Sequence, residues 1–284
     1  MMTLPDDFQF SQANLQDFVD CPRRFQLRYL MELRWPAAQA EPIGEYERRM
    51  ELGRAYHRLV QQHVLGVPEE RIGGTISDPE LRSWWENTLA HRPIALYGGD
   101  SATATVWSER GIADAVAGYR LVAKYDVLII EPGRRVVILD WKTSTARTPD
   151  RFLRERLQTR VYPFLVVRAG AHAHLEAAIT PEQVEMVYWF PGVPDSPAHF
   201  RYSEAQYRED GIYLNALIER VAQMGADDFY LTTDERRCLY CPFRSYCDRG
   251  IQAGALEDVE EVFLLQEATD TVEFDFDQIA EIEF

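Results

Sequence analysis

Two aspartates and a lysine lie at the ends of neighbouring apolar segments, where they could share one site. Asp126 begins the segment 126–131, and Asp140 and Lys142 lie at the end of the segment 136–141. The Pro-Gly pair at 132–133 predicts a hairpin turn between the two segments. Antiparallel pairing would bring both carboxylates to one end of the sheet, and residues two apart on a strand face the same side. We therefore expect the three side chains to converge.

Metal-assisted hydrolysis of a phosphodiester needs such a set of groups. Mg²⁺ and Mn²⁺ prefer carboxylate oxygens, a metal bound there activates water, and a neighbouring lysine can stabilise developing negative charge. The alternative is a plain salt bridge between Asp140 and Lys142. Among the 30 basic residues, only Lys124 and Lys142 are lysines. Since arginine would serve a salt bridge at least as well, a lysine at this position favours the catalytic interpretation.

The four cysteines form a second set with the spacing of metal ligands. Cys238, Cys241 and Cys247 make a C-x₂-C-x₅-C pattern, and Cys21 is the remaining cysteine. Together they would tie the first helix to a C-terminal loop. Zinc and [4Fe–4S] both accept four thiolates, so the spacing alone does not separate them, and four free buried cysteines are a third interpretation.

The elements around these residues change from helical to extended and back. Helical periodicity predicts helices over 11–33, with Ser11 as N-cap and a break at Cys21 and Pro22, and over 45–65, 79–90, 151–169 and 203–224, the last capped by Ser203. Short β-branched segments predict strands over 103–107, 119–123, 126–131, 136–141 and 184–190. The fold class is therefore α/β, with a small sheet, an N-terminal helical elaboration and a C-terminal cysteine loop.

The negative charge of the chain is concentrated at its C-terminal end. The 284 residues carry a net charge of −16, which is unfavourable for a DNA-binding protein, but eleven acids and no lysine or arginine follow Arg249. Without them, 35 acids face 30 bases, and a body at −5 can still carry a basic channel because binding follows the local field. No apolar segment approaches the roughly 20 residues of a membrane span, and residues 1–10 lack the features of a signal peptide. We expect no membrane partner and a cytoplasmic location.

Residues 251–284 form an acidic tail in this interpretation, and residues 1–250 form the catalytic domain. The tail alternates acids with large apolar side chains such as Phe274 and Phe276, which a disordered solubility segment would not need. An extended segment with one apolar and one acidic side could dock on a partner. It could also cover the protein's own basic channel and compete with DNA phosphates, or form an edge strand with a solvated face.

Four short motifs, in order, resemble those of the PD-(D/E)XK nuclease superfamily in its RecB-like branch. They are Gly53-x-x-x-His57 on an early helix, Asp126 before the next strand, Asp140-Trp141-Lys142 followed by Thr-Ser, and Gln158-x-x-x-Tyr162 on the following helix. Each motif is weak alone, and their order over about residues 8–250 carries the resemblance. The resemblance implies a restriction-endonuclease-like core, with a small mixed central sheet flanked by helices.

The resemblance also implies a metal site and a catalytic lysine. Asp126, Asp140 and His57 would bind Mg²⁺ or Mn²⁺ together with the main-chain carbonyl of Trp141. Lys142 would be the catalytic lysine.

Two further residues of the motifs would support this site. Gln158 and Tyr162 lie four apart on one helix face, and they would hold the metal ligands or contact DNA. Glu109 is a candidate additional acid facing the site. His63 matches no motif, and we expect it to be structural.

The same resemblance favours one cofactor for the cysteines. AddB-type nucleases, the CRISPR adaptation nuclease of this branch and the exonuclease V family share an upstream cysteine and a distal C-x₂-C-x₅-C around [4Fe–4S]. The cluster would be bound here by Cys21, Cys238, Cys241 and Cys247, in preference to zinc.

These observations together predict a metal-dependent nuclease that cuts DNA ends or single strands in repair, recombination or defence. The alternative is a catalytically silent DNA-binding or scaffolding subunit, but the intact Asp126, Asp140 and Lys142 favour the enzyme. A redox-sensing protein unrelated to DNA would leave the four motifs unexplained. The chain has no P-loop and is not itself a helicase, so a helicase or an integrase-like protein is a candidate partner.

Overall fold

A computed structural model describes residues 4–33, 43–144, 146–170, 178–238 and 241–249. The predicted acidic tail, 251–284, lies outside the described residues, so its separation from the domain 1–250 stays a prediction. In the described ranges, no helix is both long and apolar enough to cross a membrane.

One sheet of six strands runs through the described part of the chain. The strands are β1 (Gln9–Ser11), β2 (Thr105–Val116), β3 (Tyr119–Glu131), β4 (Arg135–Trp141), β5 (Val184–Trp189) and β6 (Ala198–Arg201). Their order is β1-β3-β4-β5-β6, and β2 also pairs with β3. β3 is antiparallel to β2 and β4, β5 is antiparallel to β6, and the pairs β1–β3 and β4–β5 are parallel. The sheet is therefore mixed, as the resemblance implied.

A gap opens along one edge of β3. β1 pairs with Arg120–Val122 and β4 pairs with Val127–Glu131, while β2 pairs with residues of both stretches. Because a strand has only two edges, β1 and β4 must lie end to end along the edge opposite β2. Residues 123–126 of β3 face the gap between them, and Asp126 lies in that gap beside the end of β4.

Helices cover both faces of this sheet. They are α1 (Gln12–Asp20), α2 (Pro22–Phe25), α3 (Ile43–Val64), α4 (Glu69–Gly73), α5 (Pro79–His91), α6 (Pro93–Leu96), α7 (Asp150–Glu155), α8 (Leu157–Ala169) and α9 (Glu204–Gln223). A π-helical turn (Gln26–Leu30) follows α2, and short 3-10 turns lie at Pro181–Gln183, Glu235–Cys238 and Arg244–Cys247. One hydrophobic core packs the sheet against α1, α8 and α9, and a second packs its other face against α3 and α5. The predicted fold class, α/β with a mixed central sheet flanked by helices, is confirmed.

Several predicted elements are confirmed by their caps and ends. The helices predicted over 45–65, 79–90 and 203–224 match α3, α5 and α9 within two residues at each end. Ser11 and Ser203 are N-caps, since their side chains accept hydrogen bonds from Asn14 N and Gln206 N, each at 3.3 Å. The first predicted helix ends at Asp20, because Cys21 is extended and Pro22 begins α2.

Two predictions about strands and helices were wrong in detail. β3 is one strand where two were predicted, so Asp126 lies inside a strand and not at its start. The polar residues Lys124 and Asp126 suggested a break, but Tyr125 between them is fully buried, as in a strand with one polar side. The predicted helix 151–169 is divided at Arg156, which is extended.

Other strands were longer than predicted or were missed. β2 extends to Val116, because the polar Ser-Glu-Arg-Gly stretch at 108–111 continues to pair with β3. β1 and β6 were not predicted, since strands of three and four residues have too few positions to show an alternating pattern.

Candidate active site

Asp126 and Asp140 lie opposite each other on β3 and β4. The register pairs Val127 with Leu139, so the next pair along the hairpin is Asp126 and Asp140. The main-chain N–H of Trp141 donates to Asp126 Oδ2 at 2.9 Å. The predicted hairpin is confirmed, and it brings the two carboxylates together at the end of β4.

Asp140, Lys142 and Gln158 form a closed set of polar contacts. Lys142 Nζ lies 2.7 Å from Asp140 Oδ1 and donates to Gln158 Oε1 at 2.9 Å. The Gln158 amide completes the set by donating to Asp140 Oδ2 at 2.6 Å. The ammonium also lies 5.2 Å from the centre of the Tyr188 ring. The lysine is therefore held in one position by groups from β4, β5 and α8.

A second set contains His57, Glu109 and Asp126. One ligand atom from each side chain lies within 4.8 Å of the other two, and all three side chains are half-buried. His57 Nδ1 is 3.2 Å from Asp126 Oδ1, and Glu109 forms an ion pair with Lys124. Asp126 thus belongs to this set and also lies opposite Asp140.

A close approach of α3 brings His57 to the sheet. A Cβ atom added at Gly53 would lie 2.9 Å from Thr143 Oγ1, closer than real side chains come. Gly53 therefore lets α3 pack directly against the residues that follow β4. His57 is four residues later, about one helical turn, and so it points to the same end of the sheet.

The strands β2 and β3 are irregular where Glu109 faces Asp126. Ser108 pairs with Val127 and Arg110 pairs with Tyr125, so Glu109 lies opposite Asp126. Glu109 has a φ of +57°, in the left-handed region.

The irregularity shifts the alternation of β3 by one residue. Tyr125 and Leu128 pack in the same core although they are three residues apart, while Val127 packs in the other core. Irregular pairs of this kind redirect side chains beside active sites, and a non-glycine residue in the left-handed region costs on the order of 1–3 kcal/mol. The strain is observed where the two acids meet, which marks Glu109 as a functional candidate.

The pKa values of the two aspartates are shifted in opposite directions. Burial raises the pKa of Asp140 to about 6; the ammonium of Lys142 opposes this shift, and the charge of Asp126 adds to it. Burial alone would raise the pKa of Asp126 as well, but His57 and the Trp141 N–H outweigh it and lower that pKa. Burial likewise disfavours the charged form of His57, yet Asp126 and the neighbouring acids raise its pKa above 6.5. The site thus holds two carboxylates, whose oxygens are ligands that Mg²⁺ and Mn²⁺ prefer.

The comparison with known proteins agrees with this geometry. The family model of the PD-(D/E)XK nuclease superfamily matches residues 9–248. The chain belongs to this superfamily. Nucleases of the PD-(D/E)XK superfamily use divalent metals such as Mg²⁺ or Mn²⁺, and a nuclease activity is therefore indicated for this chain.

Two solved structures resemble the chain at low identity. The crystal structure of SSO0001 is 16% identical, covers 86% of this chain and 87% of its own, and has a TM-score of 0.38. The "Putative exonuclease" of Eubacterium rectale is 12% identical, covers 75% of this chain and 79% of its own, and has a TM-score of 0.45. No curated protein matches the sequence of the chain significantly.

The two motif residues on α8 are both buried in this PD-(D/E)XK nuclease. Gln158 is 5% exposed and contacts Asp140 and Lys142, as described above. Tyr162 is 3% exposed, its ring lies 4.9 Å from that of Tyr125, and its main-chain carbonyl accepts a hydrogen bond from the Tyr125 hydroxyl at 2.9 Å. Burial raises the pKa of Tyr162 well above 10. Tyr162 therefore presents almost no side-chain surface, and its role in the site stays a prediction.

Two other expectations concern His63 and Trp141. His63 lies edge-on to Trp85 at 5.5 Å, and burial lowers its pKa below 6.5, which agrees with a structural role. The side chain of Trp141 packs in the second core against Tyr56 and Trp189. Its main-chain carbonyl as a metal ligand stays a prediction.

Glu109 is the site residue that the sequence signalled least. No motif includes it, and it precedes Asp126 by 17 residues. Only the strand register places it opposite Asp126. The sequence alone therefore gave only a weak indication that Glu109 belongs to the site.

The four cysteines come together between the start of α2 and the C-terminal loop. Cys21 and Cys241 are each 8% exposed, and Cys238 and Cys247 are half-buried. Burial raises the pKa of Cys238 to about 11, and the charges of the other three thiols add to the shift. Leu27 packs with Cys241 and Cys247 in a small separate hydrophobic cluster. The structure thus brings together the thiols that the spacing grouped.

Proposed function

We propose that this PD-(D/E)XK protein is a metal-dependent nuclease of the RecB-like type that hydrolyses DNA at ends or in single strands. The observation that carries the proposal is the pairing of Asp126 with Asp140 beside a lysine fixed by Asp140 and Gln158. A structural salt bridge would need neither the opposing aspartate nor the bridging amide. DNA as substrate fits the superfamily, and repair, recombination and defence are the processes that use such an enzyme.

The donor groups fit Mg²⁺ or Mn²⁺. Asp126, Glu109 and His57 offer three ligand atoms within 4.8 Å of one another. Asp140 Oδ1 is buried, and among the described residues it pairs with the Lys142 ammonium at 2.7 Å, so the oxygen retains a second lone pair for a metal. Carboxylates suit both ions, and the imidazole favours Mn²⁺, which binds nitrogen ligands more strongly.

The metal, when bound, activates water and neutralises charge on the scissile phosphate. His57, Asp126, Asp140 and the Trp141 carbonyl would hold it, with Glu109 as an additional ligand.

Lys142 has a defined task in this proposal. Its ammonium has three N–H donors, and in the described part of the chain Asp140 and Gln158 take two of them. The third can donate to a non-bridging phosphate oxygen or to the attacking water. Because the donor is held in place before the substrate binds, little reorganisation opposes the reaction.

We also propose that Cys21, Cys238, Cys241 and Cys247 bind a [4Fe–4S] cluster. The four side chains lie in one region of the fold, since the Cys238 thiol interacts electrostatically with Cys21, Cys241 and Cys247. Zinc and [4Fe–4S] both accept four thiolates. The resemblance to nucleases with one upstream cysteine and a distal C-x₂-C-x₅-C favours [4Fe–4S].

The nuclease proposal is tested by digestion of end-labelled linear and circular DNA, single- and double-stranded, with Mg²⁺ or Mn²⁺. We expect metal-dependent cutting of linear or single-stranded DNA, and a loss of about 10²-fold or more in Asp140→Asn. Asp195→Asn is the matched control, because Asp195 is 89% exposed and contacts His91. DNA binding by the wild type without cutting under all conditions would indicate the silent subunit instead.

The cluster proposal is tested by metal analysis of anaerobically purified protein. We expect a brown protein with about four irons and four sulfides per chain. Cys21→Ala should lose iron and unfold at a lower temperature, since it separates α2 from the C-terminal loop. Stoichiometric zinc without sulfide would contradict the cluster.

A further inference from the structure

A series of buried polar contacts connects the cysteine loop, which contains Cys238, Cys241 and Cys247, with the first turn of α8. It begins at Asp20, the last residue of α1, which directly precedes Cys21. Arg237, which directly precedes Cys238, donates to Asp20 Oδ1, and Arg24 donates to Asp20 Oδ2 at 2.9 Å. Asp20 is 5% exposed. A single buried carboxylate is therefore held by one arginine that follows Cys21 and by another that precedes Cys238.

Gln16 continues the series from Asp20 to α8. It lies one turn before Asp20 on α1, is 6% exposed, and donates from Nε2 to Asp20 Oδ1 at 2.9 Å. Its Oε1 accepts a hydrogen bond from the main-chain N–H of Leu157 at 3.0 Å. One amide side chain thus uses its donor toward the cysteine loop and its acceptor toward a residue 141 positions later.

The Leu157 N–H is one of the N–H groups that a helix leaves without an internal partner. The first four N–H groups of any helix need external acceptors. Leu157 is the first residue of α8, and the residue at its N-cap, Arg156, makes no side-chain capping bond. Gln16 supplies the acceptor that the local sequence lacks, and so it fixes the start of α8.

Gln158 is the next residue, and its side chain contacts both Asp140 and Lys142. Its side chain donates to Asp140 Oδ2 and accepts from Lys142 Nζ. A shift of the first turn of α8 would move this amide and change the position of the ammonium. Misplacement of a catalytic group by about 1 Å can cost on the order of 10²-fold in rate.

We propose that Gln16 is a positioning residue of the active site, which ties the first turn of α8 to the cysteine loop through Asp20. The inference rests on the nuclease activity proposed above. It assigns the cysteine loop a second role besides stability, because the contacts through Asp20 and Gln16 connect that loop with the residue next to Gln158. The contacts Arg237–Asp20, Asp20–Gln16 and Gln16–Leu157 follow one another. If the contacts of Gln16 are already lost, loss of the Arg237 contact should therefore have no additional effect on the rate of cutting.

The test uses the full chain, purified anaerobically, with single-turnover cutting of single-stranded DNA at saturating protein and Mn²⁺. Gln16→Met preserves the size of the side chain and removes both hydrogen bonds. We expect it to slow cutting about tenfold or more, with an unchanged Kd for DNA, since Gln16 does not reach the surface. Arg237→Met should slow cutting less, about threefold, per iron-loaded chain.

The double variant Gln16→Met/Arg237→Met distinguishes positioning from general destabilisation. For contacts in series we expect it to cut no more slowly than Gln16→Met alone. Arg236→Met is the matched control, because that neighbouring side chain is 78% exposed and contacts Asp234; it should cut at the wild-type rate. Multiplied effects in the double variant, or a normal cutting rate in Gln16→Met, would overturn the inference.

Two further outcomes keep the test decisive. If Gln16→Met fails to fold, the comparison of Arg237→Met with Arg236→Met decides, and equal rates in these two would overturn the inference. An inactive wild type would contradict the nuclease proposal itself, and this outcome is distinguishable from the others because it precedes any variant.

Discussion

Replacement of Lys142 with arginine separates a catalytic lysine from a structural salt bridge. Arginine keeps the positive charge beside Asp140 and is the usual base of this chain, which has only two lysines. If the pair served stability alone, Lys142→Arg would leave the rate of cutting unchanged. If the ammonium must donate from one position to the phosphate, the same substitution removes that donor.

The structure sets the expected loss of activity. Lys142 Nζ lies 2.7 Å from Asp140 and 2.9 Å from Gln158, and its side chain is only 13% exposed. A planar guanidinium in this space cannot place an N–H where Nζ now lies and keep both contacts. Loss of one preorganised donor costs about 10²–10³ in kcat, or about 2.7–4 kcal/mol. We expect Lys142→Arg to cut DNA more slowly by that factor.

The expected loss of stability is smaller. Arginine keeps a countercharge for the buried Asp140, and the added volume should cost about 1–3 kcal/mol. Lys142→Met would leave that carboxylate unpaired, at a cost of about 3–5 kcal/mol, so arginine is the cleaner perturbation.

The assay combines single-turnover cutting with urea unfolding of each variant. Ile218→Val in α9 is the control for stability, since it removes one buried methyl group from a helix that contributes no residue to the site, at a cost of about 0.5–1.5 kcal/mol. It should cut DNA at the wild-type rate. A Lys142→Arg protein that cuts as fast as the wild type would refute the catalytic role and leave a salt bridge.

Three other predictions concern the packing of α3, the N-cap of α5 and the acidic tail. Gly53→Ala should weaken Mn²⁺ binding in a calorimetric titration, because the new Cβ displaces α3 from Thr143 Oγ1, and Thr143→Ala should restore binding; no change in Gly53→Ala would contradict this packing. Asp78 caps α5 by accepting a hydrogen bond from Glu80 N at 2.8 Å. Burial disfavours the charged form of this carboxyl group, but the Leu81 N–H and Arg48 outweigh that effect and lower the pKa of Asp78 below 3.8. Asp78→Ala should lower the free energy of unfolding by about 1 kcal/mol at pH 7, and the difference should shrink as the pH falls below 3.8, where the carboxylate gains a proton; a constant difference would contradict the cap. Truncation after Gly250 should tighten DNA binding at low salt, with a gain that shrinks as salt rises; unchanged affinity of the folded truncation would exclude the tail as a competitor of DNA.

The hairpin that carries Asp126 and Asp140 was predictable because its signal is local. The two strands are joined by a short turn, and the apolar residues before Asp140 alternate between the two cores. Two short apolar segments rich in β-branched residues and a Pro-Gly turn suffice to predict that the two carboxylates meet at one end of the sheet. The shift of alternation at Asp126 was not predictable, since it arises from pairing with Glu109, whose left-handed backbone no sequence pattern indicates.

Two groupings of residues from distant parts of the chain differ in how well the sequence predicts them. Cys21 was grouped with three cysteines more than 200 positions away, because a site with three thiolates needs a fourth ligand and the chain has one cysteine left. Gln16 contacts Leu157 across a similar length of chain, but an amide accepts a hydrogen bond from any N–H that the fold brings near. A cysteine in a metal site has few chemically acceptable partners, so residue type and spacing are enough to predict them. The Gln16 amide has many acceptable partners, and only the packing of the helices determines which one it binds. For this reason the contact between Gln16 and the residue that precedes Gln158 had to come from the structure.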